Sequence, residues 1–506
     1  MTRLAVHPWS LLVCVLILAG SSAVFSQAPD PLVVGSKKFT ENVILGEIAK
    51  SAFAASDMEA RHRAELGGTR ILWNALLRGD IDVYPEYTGT LIQELLVDEL
   101  GTLDPRSPEE QRTAIETILS ELGIAMTAPL GFDNTYAVGV TSTTAKQLEL
   151  TTISDLDAYP ALRFGLTNEF LDREDGWPGL AAAYGLPQTN VRGLDHDLAY
   201  RALVAGDIDA MDVYTTDAEI AYYDLVTLTD DRAYFPSYRA IFLYRLDLPS
   251  EAVTALDGLT GTLNEADMRA LNAAVKIDGE LDRAVAASFV ARLTGQEIET
   301  ETETWVDRLW RHTVEHVRLV LIALALGLPL AIPLGVLAAK VPRLAPLILG
   351  GVGIIQTIPA LALLVFMIPP LGIGEAPAIA ALALYCLLPV VRNTHSAFES
   401  IPPALRDSAQ SLAIGPWHRL WWIELPLATR SILAGIKTSA VITIGFATLG
   451  ALIGAGGYGQ PILTGIRLDD IGLILEGAIP AAIMAVGAQS LFDVVETRLL
   501  PRGLSS

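Results

Sequence analysis

The sequence predicts a two-part chain, in which a bilobed α/β domain is followed by an all-α transmembrane domain of about five spans. Strand and helix patterns alternate from residue 31 to about residue 304, which is typical of largely parallel sheets covered by helices. A Gly-Asp-Ile-Asp unit begins at Gly79 and again at Gly206, which indicates two related lobes. After His316 the chain consists mainly of apolar segments long enough to cross a bilayer.

Charge and cysteine content restrict the class of function. The 506 residues carry a formal net charge of −23, and most of the acidic residues precede residue 305. Such an acidic domain is a poor partner for nucleic acid and suits a solvated position outside the cytoplasm. Both cysteines, Cys14 and Cys386, lie in apolar segments, so the α/β part is expected to hold no disulfide and no cysteine metal site. No metal or other cofactor is predicted.

Residues 1–27 have the pattern of a signal peptide or a signal anchor. Arg3 and His7 precede an apolar run from Trp9 to Phe25, with small residues near its end. The run is slightly short for a membrane span, so cleavage and retention both remain open. Either outcome exports the domain that follows.

The α/β domain is predicted over residues 31–304, with lobe 1 formed by about 31–136 and 239–304 and lobe 2 by about 137–238. Each lobe carries the repeated unit as a helix, a glycine that ends it, and a short apolar strand. Predicted strands are Leu32–Ser36, Ile81–Tyr84, Ala137–Val140, Arg163–Leu166, Ala210–Tyr214 and Ala240–Tyr244.

Two tyrosines occupy equivalent positions of the repeat. Tyr87 and Tyr214 each stand eight positions after the glycine that starts their unit. Ligands of open α/β sheets gather beyond the carboxyl ends of the strands, where both tyrosines are expected. The two lobes would therefore present facing aromatic rings to one small molecule between them. Tyr84, in the same stretch, is predicted to be structural.

The transmembrane domain is predicted over residues 312–499. Predicted spans are Val317–Ala339, Pro346–Ile368, Ala376–Val391, Ser431–Ile453 and Ile471–Phe492. Basic residues concentrate in the loops that would face inward if the α/β domain is outside, whereas the outward loops carry Arg467. The positive-inside rule therefore supports five spans with an external α/β domain.

The inward loop 401–428 contains a pattern that resembles the coupling loop of ABC importer permeases. The family motif begins Glu-Ala-Ala and has a glycine six residues later. Here Asp407, Ser408 and Ala409 open the pattern, Ala413 stands at the glycine position, and Leu425-Pro426 closes it. By this resemblance the loop docks on an ATPase subunit, and its small residues permit close approach of helices.

Motifs in both halves resemble ABC importers of the glycine betaine and choline type. The α/β domain carries Gly35-Ser-Lys-Lys-Phe-Thr-Glu41, Gly131-Phe-Asp-Asn-Thr-Tyr136 and Phe235-Pro-Ser-Tyr238, and the membrane domain carries Ile355-Gln-Thr-Ile-Pro359 and Ala451-Leu-Ile-Gly-Ala-Gly-Gly457. The resemblance covers roughly residues 31–495. It implies a periplasmic-binding-protein-like fold joined to an ABC permease, with an aromatic cage formed by Tyr87, Tyr136, Tyr214 and Tyr238.

The chemistry of such a ligand agrees with these residues. A quaternary ammonium has no hydrogen to donate, so its site holds it with aromatic faces and shape. A carboxylate at the other end of the ligand needs donors, which the resemblance places at Lys37, Thr90 and Arg173. Arginine can bind a carboxylate with two parallel hydrogen bonds. The adjacent Lys38 leaves open which of the two lysines faces the ligand.

The expected function is that of a subunit that captures and translocates quaternary ammonium solutes such as glycine betaine, choline or proline betaine. Import of another betaine, such as ergothioneine, is the alternative within this class, and a ligand-gated channel or sensor is the alternative outside it. The sequence contains no Gly-x-x-x-x-Gly-Lys-Ser/Thr loop and no hydrolase motif, so it is expected not to be an enzyme and to depend on a separate ATPase.

Assembly and location follow from the same reasoning. Five spans are few for a transport pathway, so a second permease copy is expected, as a homodimer or with a different partner. The expected location is the inner membrane of a bacterium, in the lipid bilayer, with the α/β domain in the periplasm.

Overall fold

The protein has the two predicted parts, an α/β domain followed by a helical membrane domain. The computed structural model describes residues 31–100, 108–174, 176–299 and 303–499. The predicted signal segment, residues 1–27, lies outside the described residues. The predicted fold class is confirmed.

The α/β domain contains two five-stranded sheets with the orders β2-β1-β3-β10-β4 and β7-β6-β8-β5-β9. We use lobe 1 for the first sheet with its helices and lobe 2 for the second. The chain passes to lobe 2 between Met126 and Tyr136 and returns between Leu228 and Ala240. The strands are β1 Leu32–Gly35, β2 Ala60–Arg63, β3 Val83–Tyr87, β4 Ile124–Met126, β5 Tyr136–Thr141, β6 Phe164–Thr167, β7 Val191–Leu194, β8 Ala210–Tyr214, β9 Leu225–Leu228 and β10 Ala240–Arg245.

The two sheets repeat one arrangement. In lobe 1, β1 pairs in parallel with β2 and β3, and in lobe 2, β6 pairs in parallel with β7 and β8. On its other edge β3 meets β10 in antiparallel register, as β8 meets β5. Each sheet therefore takes its fourth strand from the segment where the chain has just crossed between the lobes.

The Gly-Asp-Ile-Asp units make the same local contacts in both lobes. Gly79 and Gly206 follow their helices with φ of +76° in each case, a conformation that favours glycine. The second aspartate of each unit then accepts a backbone N–H at 2.8 Å: Asp82 accepts from Val33 of β1, and Asp209 accepts from Arg163, the residue directly before β6. The repeat in the sequence is thus a repeated turn that starts the strand leading to the tyrosine.

Strand β3 differs from the prediction, because it runs through Pro85 and ends at Tyr87. The proline is tolerated since β1 pairs with β3 at Val83, so the position at Pro85 has no need of an N–H on that edge. Tyr84 is fully buried in a core cluster distinct from the one that contains Tyr87, in keeping with the side chains' placement on opposite faces of the strand.

Helices cover both sheets. Helix α1 packs between β1 and the helices that follow β10. The part of the chain after β10 therefore belongs to lobe 1. The helices are α1 Thr40–Ala54, α2 Thr69–Arg78, α3 Pro108–Glu121, α4 Ser142–Leu148, α5 Trp177–Tyr184, α6 His196–Ala205, α7 Ser250–Asp257, α8 Glu265–Lys276 and α9 Asp282–Thr294. Short helical turns span Thr88–Thr90, Leu91–Leu95, Val97–Leu100, Ile153–Ala158, Asn168–Asp172 and Glu219–Tyr222.

The membrane domain consists of helices α10 Trp305–Lys340, α11 Ala345–Thr357, α12 Ala360–Leu371, α13 Glu375–Tyr385, α14 Leu387–Glu399, α15 Pro403–Ser411, α16 Leu425–Ala447, α17 Gly459–Arg467 and α18 Ile471–Leu499, with short turns at Pro416–Arg419, Leu420–Glu424 and Thr448–Ile453. Among the described residues, four helical stretches are long and apolar enough to cross a membrane, and a bent pair raises the number to five.

The bent pair is the second predicted span, which the structure breaks into α11 and α12 at an angle of 98°. Ile358 is extended (φ −67°, ψ 126°), as expected for a residue before a proline, and Pro359 precedes α12. The hydroxyl of Tyr385 donates to the Ile358 carbonyl that the break frees from the helix. Such satisfaction by a neighbouring helix permits a break inside a membrane.

Candidate ligand-binding site

The candidate site lies where the two lobes meet. Tyr87 is the last residue of β3 and Tyr214 the last residue of β8, so the two strands of the repeat end at this point. Tyr136, the first residue of β5, lies directly opposite Tyr214 in the ladder, with ring centroids 5.1 Å apart. The ring of Tyr238 meets Tyr136 edge to face at 5.5 Å. Four tyrosines from both lobes and both crossings therefore come together.

Phe39 is an aromatic residue of this site that the sequence reasoning missed. Its ring stacks on Tyr87 at 6.2 Å and on Tyr214 at 5.7 Å. The expectation that Tyr87 and Tyr214 simply face each other therefore needs correction, because each of them stacks on Phe39. The available signal was its position inside the Gly35–Glu41 motif, directly before α1.

The two candidate lysines, Lys37 and Lys38, differ in burial and in their ion-pair partners. Lys37 is 5% exposed, and its ammonium is 2.6 Å from the carboxylate of the fully buried Glu86 and 5.7 Å from the ring centroid of Tyr87. Lys38 is exposed and pairs with Asp195 at 3.3 Å. The lysine at the site is therefore Lys37, and its charge is already matched by a buried acid.

Arg173 also has an acidic partner. Its guanidinium on lobe 2 is 2.7 Å from the carboxylate of Glu94 on lobe 1, so the pair crosses between the lobes. Thr90, the remaining predicted donor, is 5% exposed.

All seven predicted ligand-binding residues line one cavity of about 20 Å³. Its lining consists of Lys37, Phe39, Thr69, Tyr87, Thr90, Asn134, Tyr136, Glu169, Arg173, Tyr214 and Tyr238. A water molecule needs about 10–15 Å³ of such space. A larger ligand therefore requires the rings, and with them the lobes, to move apart.

Glu41 connects the parts of the site beneath the rings. Its buried carboxylate accepts hydrogen bonds from the Tyr87 hydroxyl at 2.6 Å and from the Asn134 side chain at 2.8 Å. It also accepts from Thr216 of lobe 2 and, at 3.3 Å, from Asn272 of α8. Burial raises the pKa of Glu41 to about 7, although these hydrogen bonds favour the ionised form.

The predicted coupling loop forms a short helix with defined ends. Asp407, Ser408 and Ala409 lie on α15, and Leu425 and Pro426 begin α16. Ala413 has a φ of +55°, the left-handed region that favours glycine. This is the position at which the resembling family carries glycine, so the alanine here occupies a conformation suited to that residue. The fully buried Glu424 pairs with Lys340 and, at 3.4 Å, with Arg419.

The two lobes around an aromatic cavity and the helical domain behind them define a membrane transport protein with its own substrate-binding domain. The profile for the substrate binding domain of ABC-type glycine betaine transport systems matches residues 30–292. The profile for the inner membrane component of binding-protein-dependent transport systems matches residues 331–503. The chain belongs to the ABC-type glycine betaine transport family and joins both components in one polypeptide, which confirms the predicted resemblance.

Curated relatives agree with this assignment. The choline transport system permease protein OpuBB of Bacillus subtilis is 42% identical over 192 residues, 38% of this chain and 88% of that protein. The osmoprotectant import permease protein OsmW of Salmonella typhimurium is 40% identical over 197 residues, 38% of this chain and 92% of that protein. The ergothioneine transport permease/ergothioneine binding protein EgtU of Helicobacter pylori is 33% identical over 301 residues, 58% of this chain and 52% of that protein.

A crystal structure of a glycine betaine/carnitine/choline ABC transporter covers 52% of this chain and 99% of its own chain, at 28% identity and a TM-score of 0.45.

The pKa of Glu41 leads to a prediction about stability. The folded domain binds a proton at Glu41 up to about pH 7, whereas the unfolded chain releases it near 4.5. Ionisation of Glu41 therefore costs the folded state stability across this interval, by about 3 to 4 kcal/mol at ~1.4 kcal/mol per pKa unit. As pH rises from 4.5 to 7, the melting temperature of the wild-type chain is expected to fall relative to that of Glu41→Gln. No further relative fall is expected above pH 7.

The measurement is thermal melting of the full chain in detergent between pH 4.5 and 8.5. Glu59→Gln, an exposed position in the same lobe, is the matched control and should follow the wild type at every pH. Parallel curves for wild type and Glu41→Gln would contradict the assigned titration.

Proposed function

We propose that this chain captures a quaternary ammonium solute of the glycine betaine, choline or proline betaine kind and passes it through its own permease domain. The observation that carries the proposal is the convergence of Tyr87, Tyr136, Tyr214 and Tyr238 on one cavity at the lobe junction. Aromatic faces bind a cation that has no hydrogen to donate. The name of the relative OpuBB, a choline transport permease, points to the same class of solute, and OsmW is named for osmoprotectant import.

The charges around the cavity also favour a cation. Glu169 lines the cavity, and Glu41, Glu86 and Glu94 each contact a residue that lines it. Against these four acids stand Lys37 and Arg173. With Glu41 half ionised near neutral pH, the surroundings still carry a net negative charge, which lowers the free energy of a bound cation.

Magnitudes show what the cage supplies. Four cation–π contacts at ~0.5–2 kcal/mol each give about 2–8 kcal/mol. Micromolar affinity requires about 8 kcal/mol, so a second recognition element adds the remainder. We assign this element to Lys37, Thr90 and Arg173, which would receive the carboxylate of a betaine. Because Glu86 and Glu94 already hold the two cations, a ligand carboxylate must share or displace these partners.

Loss of the cage tyrosines is the first test. Tyr87→Ala and Tyr214→Ala are each expected to weaken binding of glycine betaine and choline by about 3- to 30-fold, the loss of one cation–π contact. Isothermal titration of the full chain in nanodiscs measures the affinities. Tyr222→Ala, an exposed tyrosine of lobe 2, is the matched control and should bind like the wild type. Unchanged affinity in both cage variants would refute the cage.

Removal of the acid beside Arg173 is the second test. Glu94→Gln removes a carboxylate that competes with the ligand carboxylate for Arg173 and that repels it. The ratio of dissociation constants for choline and glycine betaine is therefore expected to shift about tenfold in favour of glycine betaine, equal to ~1.4 kcal/mol. Glu121→Gln, exposed on the same lobe, is the control and should leave the ratio unchanged. An unchanged ratio in Glu94→Gln would exclude Arg173 as the carboxylate donor.

Ergothioneine is the second candidate ligand, because EgtU joins a permease and a binding domain and matches 58% of this chain. Ergothioneine is itself a betaine, so the same cage suits its trimethylammonium group, while its additional ring needs further space. Thermal-shift titration of the wild-type chain with ergothioneine, choline and glycine betaine separates the candidates, since the tightest ligand raises the melting temperature most at equal concentration.

We further propose that a separate ATPase subunit docks on the loop around α15 and that two chains form one transporter in a bacterial inner membrane, with the α/β domain on the periplasmic side. The support is the match to an inner membrane component of binding-protein-dependent transport, the coupling-loop pattern at Asp407–Ala413 and the small number of spans. This loop also favours transport over a ligand-gated channel, which has no use for an ATPase dock.

The assembly has its own test. Native mass spectrometry of the complex purified from its membrane is expected to give two copies of this chain together with ATPase subunits. Asp407→Arg, which reverses a charge on the proposed dock, should remove the ATPase and leave the pair of chains intact. Glu399→Arg at the end of α14 is an exposed charge reversal outside the motif and serves as the control. A single chain without ATPase, together with ligand-gated currents, would favour the channel.

A further inference from the structure

Three consecutive residues of the membrane domain contact both lobes of the binding domain. They are Arg467, which ends α17, and Leu468 and Asp469, which follow it towards α18. Arg467 pairs with acids of lobe 1, Leu468 packs against the core cluster that contains Tyr87, and Asp469 pairs with Arg201 of lobe 2. We call residues 467–469 the bridging loop.

The contact with lobe 1 is buried and multiply bonded. Arg467 is 5% exposed, its Nε is 2.5 Å from Glu65, and its two terminal nitrogens are 3.1 and 2.9 Å from the two oxygens of Asp282. Glu65 also accepts from Gln460 at 3.0 Å and Thr464 at 3.1 Å. Undocking of lobe 1 would break all of these hydrogen bonds together, and the bidentate, charge-assisted pairing with Asp282 is of the strong kind, so the cluster resists separation.

Glu65 shows the constraint in its backbone. Its φ of +62° places it in the left-handed region, which is unfavourable for a residue with a side chain. Such a conformation persists where the surroundings determine it. Here it directs the carboxylate to three donors of α17.

Lobe 1 has a second contact with the membrane domain, away from Arg467. Arg78 at the end of α2 donates to the carbonyl of Ile368 at 3.2 Å and to that of Pro369. The backbone N–H of Ile373 donates to Asp80 at 3.4 Å. Two separate contacts fix the orientation of lobe 1 as well as its position.

The contact with lobe 2 is of a different kind. The side chains of Arg201 and Asp469 are 44% and 59% exposed. Exposed pairs are screened by salt and lose side-chain entropy on pairing, so they contribute little to stability. The bridging loop therefore holds lobe 1 firmly and lobe 2 weakly.

The closed cavity requires one lobe to move for a ligand to enter. Separation of the lobes breaks Arg173–Glu94 and the pair of Lys276 with Glu219, which is 2.6 Å long. The difference in strength between the two contacts of the bridging loop, strong with lobe 1 and weak with lobe 2, determines which lobe moves relative to the membrane.

We propose that lobe 1 stays docked on the permease of its own chain through Arg467, and that lobe 2 alone swings on and off the bridging loop as the ligand site closes and opens. The Arg201–Asp469 pair forms in the closed state and breaks in the open state. This inference concerns the movement of the binding domain and holds for whichever ligand the site takes.

Disulfide crosslinking of the full chain tests it, in a background with Cys14→Ala and Cys386→Ala. One lobe 1 pair is Glu65→Cys with Thr464→Cys, and a second, Asp80→Cys with Ile373→Cys, leaves the Arg467 cluster intact. The lobe 2 pair is Arg201→Cys with Asp469→Cys. Oxidation is followed over time without added ligand, and peptide mass spectrometry identifies each disulfide and whether it joins one chain or two.

Both lobe 1 pairs are expected to crosslink within one chain at least fivefold faster than the lobe 2 pair. Equal rates, slow crosslinking of the Asp80–Ile373 pair, or lobe 1 products that join two chains would overturn the proposal. The crosslinking rates are measured without ligand, so their outcome is independent of the test of the cage. The melting temperature of each reduced variant is measured first. If Glu65→Cys lowers it, the Asp80–Ile373 pair alone represents lobe 1 in the comparison.

Ligand exchange supplies an independent arm with choline and glycine betaine as the probes. Locking the lobe 1 pair should leave the dissociation rate of the probe within twofold, whereas locking the lobe 2 pair should slow it at least tenfold. Equal slowing by both locks would overturn the proposal. Absence of binding by the reduced variants and the wild type would instead refute the proposed ligand class.

Discussion

The site depends on one buried carboxylate. Glu41 accepts hydrogen bonds from Tyr87 of lobe 1, Asn134 at the crossing, Thr216 of lobe 2 and Asn272 of α8, so a single group fixes the relative position of all four elements. Burial makes its ionisation costly, and its donors recover much of that cost. A side chain without acceptor oxygens here would leave several donors without an acceptor. When ionised, the Glu41 carboxylate also places a negative charge at the hydroxyl of Tyr87, a residue of the cage, where the charge favours a bound cation.

Compensated charge is the common feature of the whole binding domain. Lys37 has Glu86, Arg173 has Glu94, Lys276 has Asp197 and Glu219, and Arg467 has Glu65 and Asp282. Each buried cation would be unstable alone, and each pair joins segments that are distant in sequence. The pairs differ in what they join: some act inside a lobe, some across the cleft and one across the boundary with the permease. This distribution places ion pairs both at the cleft, where we propose that the ligand binds, and at the contact with the membrane domain.

Much of the fold follows from local sequence. The repeated Gly-Asp-Ile-Asp unit placed β3 and β8 correctly to within a few residues, because a helix end, a left-handed glycine and a short apolar strand are each encoded locally. The apolar runs predicted the membrane helices for the same reason. The errors have separate causes. β3 extends through Pro85 to Tyr87 because it pairs with β10, which is distant in sequence, whereas the second span breaks at Pro359 because the residue before a proline is disfavoured in a helix.

The sequence by itself determined the two-part architecture, the equivalence of Tyr87 and Tyr214, and seven of the eleven residues that line the cavity, because these depend on periodicity, repeats and motifs within short stretches. The tertiary structure alone decided how the charges pair and which ring separates the two tyrosines. Lys37 meets Glu86 across 49 residues, Arg173 meets Glu94 across 79, and Arg467 meets Glu65 across 402. No local pattern encodes such partners, because they are selected by the packing of whole lobes and domains. The physical reason is that a buried charge needs an opposite charge beside it, and only the complete fold determines which residue supplies that charge.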